Sequence, residues 1–166
     1  MNIVERGQGE PLVVVPGVQG RWEWLSGAVD ALARDYRVVT FSLGDEPSAA
    51  CSHDRGRGMD AFADQIDAVL ADRGIHRAAL CGISFGGLVA LRYAASRPTR
   101  VSALALVSAP GPGWHLKPRH EFYASHPRVF GPLFAAEALI RLRREIVATT
   151  LTNGLVNRLG APGPLR

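Results

Sequence analysis

Gly82-Ile83-Ser84-Phe85-Gly86 is the stretch whose residue types and spacing suit covalent chemistry. The apolar run Ala78 to Leu80 leads into it and a helical pattern leaves it at Gly87, so it reads as a strand, a sharp turn and a helix. A serine at such a junction is held in a strained backbone conformation with its hydroxyl clear of the sheet. Glycines two residues before and after it let neighbouring backbone approach without meeting side chains. The helix adds free N–H groups and the positive end of its dipole, which favour negative charge developing beside Ser84. These are the requirements of a nucleophile attacking a carbonyl. A tight turn that merely carries a serine is the plainer alternative, and the matching strand and helix on either side weigh against it.

A second glycine-rich turn, Pro16-Gly17-Val18-Gln19-Gly20, ends the continuous apolar run Leu12 to Val15. Together the two turns resemble the α/β-hydrolase family, in which the serine turn is the nucleophile elbow; the resemblance runs from about Leu12 to Val107. It implies Ser84 as nucleophile, an oxyanion hole formed by the backbone N–H groups of Val18 and Phe85, and Gly17, Gly82 and Gly86 as the glycines of the elbow and loop. It implies no metal and no cofactor. Pro16 stands where the family usually has histidine, which leaves the donated backbone group intact. Ser42 to Ser48 resembles the family's loop Asp-x-x-Gly-x-Gly/Asp-x-Ser, with Ser42 in place of the acid. The implied activity is hydrolysis of an ester-like carbonyl (ester, lactone or thioester) in a small-molecule substrate through an acyl-enzyme. Epoxide hydrolases and dehalogenases of the family carry aspartate at the nucleophile position, so Ser84 argues against both.

The base is the difficulty. Serine attack needs a histidine to take the hydroxyl proton and a carboxylate to orient it, in this fold in the order Ser, acid, His. After Ser84 the histidines are His115, His120 and His126 and the acids Glu121, Glu137 and Glu145. Directly after Val101 to Val107, where some members hold the acid, stand Ser108, Ala109 and Pro110. Glu121 and His126 satisfy the bare order but fall in the region resembling a cap. The three histidines lack the turn of ligands a zinc site needs. The expectation is a serine hydrolase that is inactive as these residues alone. The rival is a non-catalytic protein that keeps the fold to bind a small ligand or partner. Pro16 and Ser42 favour that rival, and an intact strained elbow disfavours it.

The surrounding pattern supplies the scaffold. Ile3 to Glu5, Leu12 to Val15, Arg37 to Phe41, Ala78 to Gly82 and Val101 to Val107 have strand character. Trp22 to Arg34 places Trp24, Ala28 and Leu32 at helical spacing, with Trp22 and Trp24 expected to pack. Met59 to Arg73 is an amphipathic helix with Met59, Phe62, Ile66, Val69 and Leu70 on one face and Asp60, Asp64 and Asp67 elsewhere, stopped by Gly74. Leu88 to Ser96 is an alanine-rich helix ended by Arg97-Pro98. Alternating strands and helices predict an α/β fold: a mainly parallel sheet with helices on both faces, lacking the last strands of the family. Residues 1–108 are expected to form this core. Residues 109–166 are expected to be the start of a truncated helical cap: polar from Trp114 to Arg128, then a long helix from Pro132 to Leu151. Without further strands, Val101 to Val107 becomes an exposed edge through which copies self-associate.

Composition sets the outer bounds. At 166 residues, 47% hydrophobic and 20% charged, the chain suits a globular domain. Its net +4 hides a split: residues 1–72 carry 12 acids and 6 bases, residues 73–166 carry 3 acids and 13 bases. The basic half lacks aromatic interleaving and clusters only at Arg141, Arg143 and Arg144, so it reads as solvated helix faces or a surface for an acidic partner rather than a nucleic-acid surface. No run is long enough to cross a membrane and Met1 to Glu5 lacks a leader's features, so the expected location is cytoplasmic. Cys51 and Cys81 suggest no disulfide framework, and Cys81 is expected to be a small buried residue. Asp45, Glu46, His53 and Asp54 fit no compact ligand set and read as solvated loop.

Overall fold

A computed structural model describes residues 3–18, 20–44, 49, 54–111, 113–115, 117–126, 129–134, 136, 137, 139, 140 and 143. The chain divides into two compact units, Met1–Pro112 and Gly113–Arg166. The first is built on a five-stranded sheet of β1 (Ile3–Arg6), β2 (Pro11–Val15), β3 (Arg37–Phe41), β4 (Ala78–Ile83) and β5 (Val101–Val107), in the order β1-β3-β2-β4-β5. Only β1 runs antiparallel to its neighbour; β3, β2, β4 and β5 are parallel. This is the α/β architecture the alternation of strands and helices predicts.

Two apolar layers cover the sheet. On one face Val13, Val15, Val39 and Phe41 pack with residues of α2 (Met59–Asp72) and α3 (Phe85–Ser96); on the other Leu12, Val14 and Val38 pack with Val29 of α1 (Ser26–Leu32). Because β2 is covered on both faces, its run of valines has no polar alternation. The expected phase of the first helix is wrong. Residues Trp22–Leu25 form a tighter 3-10 turn before α1 begins, which advances the chain by about 120° per residue rather than 100°. The buried stripe becomes Leu25, Val29 and Leu32, while Trp24 is 74% exposed and Ala28 also faces solvent. Trp22 is half-buried, with the Arg6 guanidinium over its ring at 5.9 Å.

The acids of α2, off its apolar face, pair with residues of α3 and with Arg97 just after it. Asp60 accepts two hydrogen bonds from Arg92 at 2.8 and 3.1 Å, Asp64 accepts one from Arg97 at 3.0 Å, and Asp67 pairs with Arg97 and accepts from the Tyr93 hydroxyl at 2.7 Å. Glu5 likewise sits between Arg37 at 2.7 Å and Arg73 at 3.7 Å. Four acids of the first half are thus paired with Arg73, Arg92 and Arg97 of the second. Exposed pairs of this kind contribute little singly; the buried Tyr93 ring and hydroxyl are the anchor of the seam.

β5 is the exposed edge expected of Val101 to Val107 in the absence of further strands, although its apolar run has the composition of a buried strand. Among the described residues it pairs with β4 alone, and Ser102, Ala103, Ala105, Leu106 and Val107 are exposed, with Val101 and Leu104 turned into the core. In the second unit, α4 (Pro118–Ser125) lies within the stretch expected to be merely polar, started by Pro118 in its first turn. Helical residues resume at 129, three before the expected start at Pro132. Phe122 packs on Phe130 at 4.4 Å between ring centroids, and the Tyr123 hydroxyl donates to Glu137 at 2.7 Å. The remainder of the expected helix to Leu151, with Arg141 and Arg144, lies outside the described residues, as do Asp45, Glu46, Cys51 and His53.

Burial, with Asp67 beside it, pushes the Tyr93 phenol up to about 12. An unfolded tyrosine ionises near 10, so the unfolded chain releases a proton that the folded one holds. Stability present below pH 10 is therefore lost between about pH 10 and 12, by up to on the order of 2–3 kcal/mol. Tyr93→Phe is expected to lower stability at pH 7 by about 1 kcal/mol and to flatten the alkaline decline. Urea unfolding of both proteins at pH 7 and pH 11 checks this, and parallel declines would contradict it.

Candidate active site

The apolar strand β4 carries the chain up through the middle of the sheet and ends at Ile83. Ser84 follows with φ 54° and ψ −119°, and α3 begins at Phe85, three residues before the helical pattern becomes clear at Leu88. The glycine pair Gly86-Gly87 hides the helix start from a propensity reading. Ser84 and Ser108 are the non-glycine residues with positive φ among those described. A serine in this region stores strain that the surroundings must impose.

Those surroundings are backbone. A β-carbon on Gly86 would lie 2.2 Å from the Pro16 carbonyl oxygen and 2.3 Å from that of Val15. One on Gly82 would lie 2.5 Å from both the Gly86 carbonyl oxygen and the Gly87 Cα. One on Gly87 would lie 2.4 Å from the Ala109 Cβ. The serine turn is therefore pressed against the end of β2 and against the exit of β5. Its N–H donates to the Val107 carbonyl at 2.8 Å, and its carbonyl accepts from Gly87 N–H at 2.9 Å, the first bond of the helix. Val107 and Gly87 thus join the site through backbone hydrogen bonds that no residue pattern signals, and Ser108, with φ 50°, follows Val107.

The second turn is equally constrained. Pro16 and Gly17 are buried, Val18 is 77% exposed, and Gly20 at φ 70° donates its N–H to Gly17 O at 2.9 Å. Gly20 O in turn accepts from Leu43 N–H at 2.7 Å, which ties the turn after β2 to the loop after β3. Phe85 is half-buried, its ring meeting Phe62 of α2 edge-on at 5.2 Å. The sheet thus brings together the ends of β2, β4 and β5, and with them Gly17, Gly82, Ser84, Phe85 and Gly86.

Other candidates stand apart from this constellation. Cys81 is half-buried beside β2 and burial pushes its thiol up, which makes it a poor nucleophile. Ser42, in place of an acid, is fully buried and bridges to Ala49. Glu121 is exposed in α4, and His126 follows that helix with Nδ1 at 3.1 Å from the Ser125 hydroxyl. Among the described residues no group of three His, Cys, Asp or Glu side chains is arranged to hold a metal. No helix among them is long and apolar enough to cross a membrane.

Residues 10–136 match the family model described as alpha/beta hydrolase fold. The pimeloyl-[acyl-carrier protein] methyl ester esterase of Nitrosomonas europaea is 35% identical over 112 residues, covering 66% of this chain and 41% of its own length. A Cronobacter sakazakii protein named for a proposed carbamate hydrolase activity, RutD, is 32% identical over 103 residues, covering 62% of this chain and 37% of its own. A solved marine microorganism esterase has the same fold at a TM-score of 0.64 and 20% identity, over 79% of this chain and 49% of its own. The chain spans less than half the length of these relatives.

Because the Gly86 position is closed by backbone that cannot turn aside, Gly86→Ala is expected to cost about 3 kcal/mol or more. Gly27→Ala, in α1 with nothing within 4 Å of a new β-carbon, is expected to be neutral or to stabilise by about 0.5–1 kcal/mol. Thermal melts of the two variants decide; equal melting temperatures would contradict the close approach.

Proposed function

Because the chain belongs to the α/β-hydrolase fold family, we propose that its site attacks an ester-like carbonyl of a small molecule through Ser84 and an acyl-enzyme. The observation that carries this reading is the positive φ of Ser84, imposed by glycine-to-backbone contact at the end of a central strand. In the proposed reaction Ser84 Oγ bonds to the carbonyl carbon as its proton passes to a base. The carbonyl π electrons collect on oxygen, which accepts hydrogen bonds from Val18 N–H and Phe85 N–H. Collapse expels the leaving group with a proton, and water then cleaves the acyl-serine ester to release the acid. The dipole of α3, beginning one residue after Ser84, favours the oxyanion.

The base and its orienting carboxylate are proposed to come from sequence that completes the length of the relatives. The esterase and hydrolase names of those relatives support an ester or carbamate-like substrate. A non-catalytic, ligand-binding role is the second reading, favoured by the buried Ser42 where the family loop has an acid.

Two measurements test these readings. Treated with an alkyl fluorophosphonate, a protein extended to the length of the relatives, so that a base is present to take the serine proton, is expected to gain one phosphonyl group. The Ser84 Oγ–P bond forms, the P–F bond breaks and fluoride leaves; peptide mapping locates the adduct, which Ser84→Ala abolishes. No adduct at Ser84 would overturn the serine reading. Turnover of an activated ester by the present chain is expected to fall on the order of 10⁶ below that of a complete triad, and turnover that disappears in Ser84→Ala would show that the base is already in place.

The exposed edge of β5 is proposed to pair with a second copy of the chain. Light scattering at micromolar concentration is expected to find dimers or larger species, reduced by Leu106→Lys; a clean monomer would refute self-association.

A further inference from the structure

We propose that Gln65, on α2 and outside the serine turn, is a positioning residue for the oxyanion loop. Thr40, Ser42 and Gln65 are the polar side chains fully buried among the described residues. Gln65 makes a paired contact with one backbone unit: Gly44 N–H donates to its Oε1 at 2.9 Å and its Nε2 donates to Gly44 O at 2.9 Å. Using donor and acceptor together fixes the amide's orientation and holds Gly44, at φ 69°, in one place. The next residue back, Leu43, is 3% exposed and donates its N–H to Gly20 O at 2.7 Å; Gly20 donates to Gly17 O at 2.9 Å. A continuous path of backbone hydrogen bonds thus runs from the buried amide of α2 to the turn that carries Val18.

An apolar side chain of the same volume would fill the space but leave the Gly44 N–H and C=O without these partners. What an apolar residue lacks is the two-point hold on Gly44. Backbone donors stabilise an oxyanion only when they are fixed before the charge appears, and the turn at Val18, which is exposed to solvent, has this path as its inward anchor. Loss of the amide is expected to leave the sheet intact and release Leu43 and Gly20, so that the Val18 N–H loses its preset position.

The inference rests on the serine-hydrolase reading for its chemical consequence, and the test separates the two. Gln65→Ala and Tyr93→Phe, the latter loosening the opposite side of α2 without touching Gly44, are compared in the full chain by three readouts. These are melting temperature, NMR exchange of the Leu43 and Gly20 amides and, in the protein extended to the length of the relatives so that the base is present, the rate of Ser84 phosphonylation. Gln65→Ala is expected to speed exchange at both amides and to slow phosphonylation about tenfold, part of the roughly 10²–10³-fold that loss of a whole oxyanion donor costs. Tyr93→Phe is expected to melt earlier with neither change. Wild-type exchange in a folded Gln65→Ala protein would overturn the inference, as would equal slowing of phosphonylation in the two variants. Failure of every variant, wild type included, to label at Ser84 would overturn both the serine reading and the chemical half of the inference.

Discussion

The clearance between the serine turn and the end of β2 is the constraint on which the rest of the structure depends. Carbonyl oxygens of Val15 and Pro16 occupy the space a side chain on Gly86 would need. With no side chain between them, the first turn of α3 and the turn after β2 lie backbone against backbone. Parallel pairing of β2 with β4, in register from Leu12 opposite Ala79 to Val15 opposite Gly82, delivers both ends to the same level of the sheet. The strain at Ser84 is then a consequence: the chain must leave β4 and enter a helix within one residue because backbone on either side leaves no wider path.

Helix α2 braces this arrangement from one face. Its apolar residues Ile66, Val69 and Leu70 fill the layer between helix and sheet, its carboxylates meet the arginines of α3, and Gln65 grips the loop after β3. Phe62 meets the ring of Phe85 at the start of α3. One helix therefore touches both turns of the proposed site, at Phe85 and by way of Gly44, and supplies rigidity to each through side chains that stay out of the chemistry. Positioning of this kind suits a reaction whose charge develops on a substrate oxygen, because fixed N–H dipoles stabilise it without first reorienting.

The two units contribute unequally. Met1–Pro112 contains the sheet, the serine turn and the turn after β2 proposed to form the oxyanion hole, while Gly113–Arg166 contains α4 and the aromatic contacts around Phe122, Tyr123, Phe130 and Phe134. Much of the first unit was legible in the residues. Valine runs marked β2 and β3, the apolar face of Met59, Phe62, Ile66, Val69 and Leu70 marked α2, and glycine spacing marked the serine turn. Periodicity failed where local geometry changed the period. The 3-10 turn at Trp22–Leu25 moved burial from Trp24 and Ala28 to Leu25 and Val29, and the polar composition of Pro118–Ser125 concealed a helix.

By itself the sequence determined the elements, the parallel character of the sheet and the residue that stands at its central turn, because these follow from local periodicity and from the backbone freedom of glycine. Tertiary structure alone decided which groups meet. Asp60, Asp64 and Asp67 lie off the apolar face of α2, and only the fold brings Arg92 and Arg97 alongside them. Gln65 looks like one polar residue in an amphipathic helix until Gly44 folds onto it. Along β5, packing alone decides that Val101 and Leu104 turn into the core while Leu106 and Val107 stay exposed. Contacts between residues twenty or more positions apart depend on the packing of whole elements, and no local pattern encodes the distance between them.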